Sequence, residues 1–279
     1  MPLYEGKMVQ AFDHRAANVI VNPENLNRPA QPEPTTDSDH ADAEFVPLPQ
    51  FWVREKFVEW PNGVEWSLAF KDVTSPTNVR TMIAVIVPKA GVGNTLPLIT
   101  QQKGHGHYYA SWAPLLLANL NSIPFDYVAR QKVQGQHLNW FIVEQLPVVP
   151  QEHYRRRFKT KTAAEIVKEE VLRLTYTAND MAPFANDIGY NGPVFPWDPK
   201  DRLNRRAKLD ALYFMLMFAS ETPEDVEMLR QLATYIFSTF PILEREDTAV
   251  YGRYLSRDLC LAYINALAAD DPDAKIILS

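Results

Sequence analysis

Between Phe125 and Pro147 the chain reads FDYVARQKVQGQHLNWFIVEQLP, and its middle gathers Arg130, Gln131, Lys132, Gln134, Gln136, His137 and Asn139 around Gly135. Arginine, lysine, glutamine and asparagine are the side chains that pair with guanine and adenine edges and with phosphate oxygens. A glycine among them lets a turn lie close to a ligand backbone. The same composition describes a solvated polar turn between two elements, because exposed Gln and Lys are common. The apolar ends, from Phe125 inward and through Trp140, Phe141, Ile142 and Val143, read as strands holding that turn in place.

A second cationic group follows at Arg155, Arg156, Arg157, Lys159 and Lys161. With Arg130 and Lys132, and with Lys103 and Arg80, it can track a phosphate backbone; a charged linker between domains is the competing reading. His105 and His107 flank Gly106, a spacing that puts two imidazoles on one face of a strand. Without a cysteine or a spaced acidic pair beside them, a loop contacting phosphate or a partner is the better reading than a metal site. Of the motifs that carry catalysis, GxGxxG after a strand, GxxxxGK[ST], HExxH and GxSxG are all absent. Glu169 and Glu170 are adjacent and point about 100° apart on a helix, so they cannot converge as an acid pair.

The elements around these residues change texture along the chain. Residues Asn22 to Asp42 hold Pro23, Pro29, Pro32 and Pro34 among Asn, Asp, Ser and Thr, and read as an exposed or disordered loop. Short apolar pieces from Phe45 to Trp66 favour strand and irregular structure. Met82 to Val87 is a continuous apolar run closed by Pro88, the pattern of a strand buried on both faces. Gly91 to Asn94 reads as a turn, Leu96 to Thr100 as a second strand and Ser111 to Leu120 as a helix packed on the sheet. Beyond Pro150 the signals are helical. Thr162 with Glu165 makes a capping box, Asp198–Pro199–Asp201 caps a helix from Lys200 to Ala219, and Thr222–Pro223–Asp225 repeats the device. The helix from Lys200 carries Leu209, Leu212, Tyr213 and Leu216 on one stripe. Arg202, Arg205, Arg206 and Lys208 crowd its first half, against the macrodipole, a cost more easily tolerated beside something anionic.

Composition bounds the class. The 279 residues have a net charge of -6, so an anion-binding surface must be a local patch rather than a global basic field. Cys260 stands alone, which rules out an intramolecular disulfide and a multi-cysteine zinc site and fits a reducing cytoplasm. No apolar run approaches the ~18 residues of a membrane span.

Several stretches in one order resemble a known family. PLYEGKMVQAFDHR at Pro2 to Arg15, TNVRTMIAVIVPKAGVGNTLPLI at Thr77 to Ile99 and FDYVARQKVQGQHLNWFIVEQLPVVP at Phe125 to Pro150 resemble the C-terminal part of large bacterial adenine-specific (N6) DNA methyltransferases. These are the type IIG-like enzymes of restriction-modification and phage-defence systems. LTYTANDMAPFANDIGYNGPVFPWD, AKLDALYF, FSTFPILERED and YGRYLSRDLCLAYINAL are similar to the helical region that follows it. The resemblance implies an α+β chain with a DNA target recognition domain at 45–150 and a helical C-terminal domain at 151–279. Residues 1–44 would continue from a catalytic domain that lies upstream or on another chain. Double-stranded DNA and that catalytic domain or subunit are the implied partners. S-adenosylmethionine belongs to the catalytic domain, since its Gly-rich motif and the Asn/Asp-Pro-Pro-Tyr/Phe motif do not occur here. The DNA-facing residues expected are Arg130, Lys132, Gln134, Gln136, His137 and Asn139, then Lys103, His105 and His107, with Arg155, Arg156 and Arg157 as phosphate anchors. Arg80, Asp126 and Gln145 also match the family pattern; an Arg buried beside Asp126 would be a paired charge rather than a reader. Two rivals are a scaffold that docks other defence subunits through its helical half, and a small enzyme with a deep pocket of convergent titratable groups.

Overall fold

The apolar run ending at Pro88 becomes a strand with no face in water: Ala84, Val85, Ile86 and Val87 are all fully buried. The computed structural model to which it belongs describes residues 1–21, 23–24, 30–60, 63–101, 106–218 and 220–278. In chain order the strands are β1 Pro2–Tyr4, β2 Ala17–Ile20, β3 Gln31–Pro34, β4 Phe51–Trp52, β5 Trp66–Phe70, β6 Ala84–Pro88, β7 Gly91–Val92, β8 Leu98–Ile99, β9 Arg157–Phe158 and β10 Lys161–Thr162. The helices are α1 Asp37–Ala41, α2 Gly106–Leu120, α3 Ile123–Lys132, α4 Trp140–Val143, α5 Ala163–Thr175, α6 Ala182–Asp187, α7 Pro199–Met217, α8 Pro223–Ser238, α9 Pro241–Tyr251 and α10 Leu255–Ala268. The fold class is α+β, with small mixed sheets followed by a helical C-terminal region. None of the described helices is long and apolar enough to cross a membrane.

Contacts divide the chain into two interleaved units, one of residues 1–74, 82–117 and 171–197, the other of 75–81, 118–170 and 198–279. The division departs from boundaries at 44/45 and 150/151. In the first unit β1 lies between β4 and β7, antiparallel to one and parallel to the other, while β5 runs antiparallel to both β6 and β8. Tyr4, Met8, Val9 and Val19 share a core with Ala69, Val85, Val87 and Leu96, so side chains from before 45 pack with the strands that follow. Residues 171–197 return to the same unit, where Phe184 packs edge-on against the fully buried Trp66, whose indole donates to Asp187 at 2.8 Å. Local composition does not record such returns. Gly6 is required here, because a Cβ at that position would lie 2.5 Å from the Thr95 carbonyl oxygen. Within the proline-rich stretch β3 pairs antiparallel with β2, and Thr36 and Asp39 make a capping box on α1.

The Asp13–His14–Arg15 tripeptide supplies the charged centre of the first unit. Arg15 is fully buried and gathers carbonyl oxygens from separate segments: Asp42 at 2.8 Å, Thr177 at 3.0 Å, His40 at 3.1 Å and Phe45 at 3.4 Å. His14 Nε2 lies 3.0 Å from the Asp180 carboxylate, and His40 Nε2 lies 3.0 Å from that of Asp13 while its ring stacks on Trp197. Burial acts to raise the Asp180 carboxyl, but His14 and Arg15 outweigh it and hold the group below the usual carboxylate value.

In the second unit α7 packs along α10, and α8 packs on α10 and α3. The stripe Leu209, Leu212, Tyr213 and Leu216 is buried as its spacing predicts. The three cap signals are all realised, at Thr162–Glu165, Asp198 and Thr222–Asp225. Arg205 and Lys208 of α7 meet anions within the unit: Arg205 pairs with Glu170 at 2.5 Å and Asp201 at 2.7 Å, and Lys208 with Glu170 at 2.7 Å.

Replacing Arg15 by Ala leaves four carbonyl groups without their donor, and unfolding in urea is expected to show a loss of about 3 kcal/mol or more. Arg15→Lys should recover only part of it, since one ammonium cannot serve the spread of acceptors that a guanidinium serves. An unchanged midpoint in Arg15→Ala would refute the role given to this network.

Candidate nucleic-acid interface

The Phe125–Pro147 stretch is helix, turn, helix rather than strand, turn, strand. Pro124 in the first turn of α3, Asp126 near its start and Arg130 and Lys132 in its last turn are all helix-compatible placements. Phe125 and Ala129, four apart, are both buried, as are Asp126 and one face of the Arg130 side chain. The helical period was present in the sequence, masked by the aromatic and β-branched residues of the stretch.

Beyond Lys132 the chain leaves the helix at Val133, turns through Gly135 and re-enters helix at Trp140. Val133, Leu138, Leu146 and Val149 are buried anchors, and the Val149 N–H donates to Asn119 Oδ1 at 2.8 Å. Between these anchors Lys132, Gln134, Gln136, His137 and Asn139 are exposed. Together with Gly135, Phe141, Ile142 and Gln145 they line an open cleft of about 470 Å³. Phe141 and Gln145 were not among the expected readers. Their four-residue spacing puts them on one face of a helical turn, where Gln145 Nε2 donates to the Phe141 carbonyl at 2.7 Å. Among the described residues no hydrogen-bond partner is found for the side chains of Lys132, Gln134, Gln136 and Asn139. Asn139 is the N-cap of α4, yet its amide does not cap the helix.

Arg130 is held elsewhere. Its side chain is 9% exposed, donates to the carbonyls of Asn78 and Val79 at 2.7 Å each, pairs with Asp126 at 3.4 Å and lies 4.0 Å from the Phe240 ring centre. Asp126, fully buried, accepts the Thr81 N–H at 2.9 Å. Arg80 also lies over Phe240, at 6.0 Å, and reaches Asp210 at 3.5 Å. The expected reader Arg130 is thus a clamp on the segment Ser75–Thr81, for the reason that it sits four residues after a buried carboxylate. Asp210 is itself buried and accepts the Ile123 N–H at 2.7 Å. Burial pushes its carboxyl up to about 6, against the opposing pull of Arg80, the Ile123 N–H and Arg206.

The Arg155–Arg157 run divides in the same way. Arg156 is spent inside the unit: it donates to Met215 O at 2.9 Å and to Ser220 Oγ at 2.7 Å, satisfying the C-terminal end of α7, where His153 Nδ1 also donates to Leu216 O. Its Nη donors are thus turned to carbonyl and hydroxyl oxygens of the same unit. Arg155 and Arg157 are exposed, the latter touching Thr160 O at 3.1 Å. His107 is exposed in the first turn of α2, in the other unit. Lys103 and His105 lie outside the described residues. Among the described residues no group of three or more His, Cys, Asp and Glu side chains has the arrangement of a metal site.

Nothing in the fold demands glycine at 135. Its backbone is not in the left-handed region and an added Cβ would meet no atom within 4 Å. Gly135→Ala should therefore leave the unfolding free energy within about 0.5 kcal/mol of the parent, whereas Arg130→Ala, which orphans Asp126 and two carbonyls, should cost about 3 kcal/mol. Denaturant titration of both variants checks the contrast; equal effects would contradict the assignment of the two positions. Asp210 predicts a pH signature. The folded protein keeps its proton up to about pH 6, while the unfolded chain releases it near 3.8, so the stability this group contributes is full at low pH and is lost as pH rises through that window. At ~1.4 kcal/mol per unit this amounts to roughly 2–3 kcal/mol. The difference in stability between the parent and Asp210→Asn should change by that amount between pH 4 and pH 6, and a constant difference would show that the carboxyl is not raised.

No protein-family model, curated protein or solved structure matches this chain.

Proposed function

We propose that the chain is the DNA sequence-recognition portion of an S-adenosylmethionine-dependent N6-adenine DNA methyltransferase of restriction-modification or phage-defence type. The observation that carries this reading is the convergence of Lys132, Gln134, Gln136, His137 and Asn139 on one open cleft, on a scaffold pinned by buried residues to either side. Unspent amide and ammonium groups displayed on a fixed turn are what direct contact with base edges needs. The order of motifs along the chain supports the family. The cleft does not fit S-adenosylmethionine: its lining has no carboxylate to take ribose hydroxyls and no glycine-rich turn from a strand into a helix. Methyl transfer is accordingly assigned to a catalytic domain or subunit partnering this chain, and the chain's own residues contribute recognition.

Phosphate contacts fall to Lys132, Arg155 and Arg157, the exposed cations of the expected set in the second unit. Arg130 and Arg156 contribute by holding the segments that carry the others. A docking subunit without DNA contact is favoured by one observation, the exposed Met228, Tyr235 and Val250 of α8 and α9.

Titration of the full chain with duplex DNA at several salt concentrations separates the two. Recognition predicts affinity that falls as salt rises, with Lys132→Ala lowering the slope of log K against log salt by about 1 and the Arg155→Ala, Arg157→Ala pair lowering it further. Absence of binding at the lowest salt, or a slope unchanged in all these variants, would overturn the recognition reading.

A further inference from the structure

The lining of the cleft narrows what it reads. Resting on the recognition reading above, we infer that the cleft contacts an A·T base pair of a stacked duplex from the major groove, with a carboxamide on the adenine and Phe141 on the thymine methyl.

Adenine presents an acceptor at N7 and a donor at N6, and a carboxamide carries the complementary donor and acceptor at the same spacing. Guanine presents two acceptors and is met bidentately by a guanidinium; cytosine presents a donor at N4 and is met by a carboxylate. The lining contains four carboxamides, Gln134, Gln136, Asn139 and Gln145, and neither an arginine nor a carboxylate. The nearby guanidinium that could have read guanine, that of Arg130, donates to the Asn78 and Val79 carbonyls.

Among the four amides, Gln145 has spent one Nε2 N–H on the Phe141 carbonyl, which keeps its oxygen and second N–H but ties its orientation to the helical turn. Gln134, Gln136 and Asn139 keep both halves of the amide. Asn139 is informative because an N-cap asparagine ordinarily spends its oxygen on the first turn of its helix, and here it does not. Lys132 is the one cation of the lining able to meet the guanine acceptors, and in the reading above it is spent on phosphate, which leaves the base edge to the amides.

The apolar wall completes the pair. Phe141 is 62% exposed and lines the cleft together with Ile142. A large aromatic left in water beside unspent amides fits the one major-groove feature that is apolar, the C5 methyl of thymine. An amide and an exposed phenyl in one lining match the two halves of an A·T pair.

The test is selection of bound duplexes from a randomised pool with the full chain, followed by atom-level replacement in the enriched site. The site is expected to hold at least one fixed A·T pair. Replacing that adenine with 7-deazaadenine removes the N7 acceptor and keeps Watson–Crick pairing, and should weaken binding about tenfold. One of Gln134→Ala, Gln136→Ala and Asn139→Ala should bind the parent duplex about tenfold more weakly and show no further loss with 7-deazaadenine. Deoxyuridine in place of the thymine should cause a smaller loss that disappears in Phe141→Ala. All four side chains are exposed, so unchanged unfolding curves serve as the folding control. Enrichment of sites with only G·C fixed, or indifference to 7-deazaadenine at every fixed adenine, overturns the inference while leaving DNA recognition standing. Failure to bind any duplex at low salt overturns recognition and the inference with it.

Discussion

The pairing of Asp126 with Arg130 is the constraint on which the rest of the second unit's candidate surface depends. Both residues lie on α3, one turn apart, and both face inward. Asp126 takes the Thr81 N–H and Arg130 takes the carbonyls of Asn78 and Val79, so an irregular segment is held by a helix at three backbone groups. The polar turn begins two residues after Arg130. A guanidinium that would otherwise stand beside the exposed polar groups is consumed in fixing the backbone from which they project, as a preorganised surface requires of its scaffold.

Each unit solves the same problem with a buried guanidinium. The chain has 22 prolines against 10 glycines, and its strands are short, so many backbone carbonyls lie outside any ladder. Buried carbonyls need donors. An arginine offers five, in a rigid fork, with no acceptor of its own to satisfy. Arg15 gathers carbonyls at Asp42, Phe45, His40 and Thr177; Arg130 gathers Asn78 and Val79; Arg156 closes the end of α7. The carboxylates beside them follow different rules. Asp180, met by His14 and Arg15, is held below the usual value, whereas burial dominates at Asp210 and raises it.

Legibility in the sequence tracked the range of the interaction responsible. Helix starts at Thr162, Asp198 and Thr222 were readable because a cap is formed within four residues of the chain. The buried strand ending at Pro88 was readable because two-sided burial leaves an uninterrupted apolar run. The cations of α7 announced a need for anions, which Asp201 and Glu170 meet for Arg205 and Lys208, Glu170 from 35 residues before Arg205. Gln134, Gln136, His137 and Asn139 stand as a polar cluster in the sequence, and the cleft brings them together. Arg130 and Arg156 could not be sorted from Lys132 and Arg155 in the same way. A free cation and a bound one have the same formula, and their partners, Asn78 and Ser220, are tens of residues distant.

What the sequence by itself determined is therefore local: caps, stripes, the buried strand, and the inventory of side chains able to meet a base edge. Only the tertiary structure decided that Phe125–Lys132 and Trp140–Val143 are helices around the turn, that the described residues before 45 and those of 171–197 belong to one compact unit, and that Arg130 faces inward while its neighbours face water. The physical reason is that a side chain's role is set by which donors and acceptors remain after packing. Packing joins residues such as Arg15 and Thr177, which are 162 positions apart along the chain.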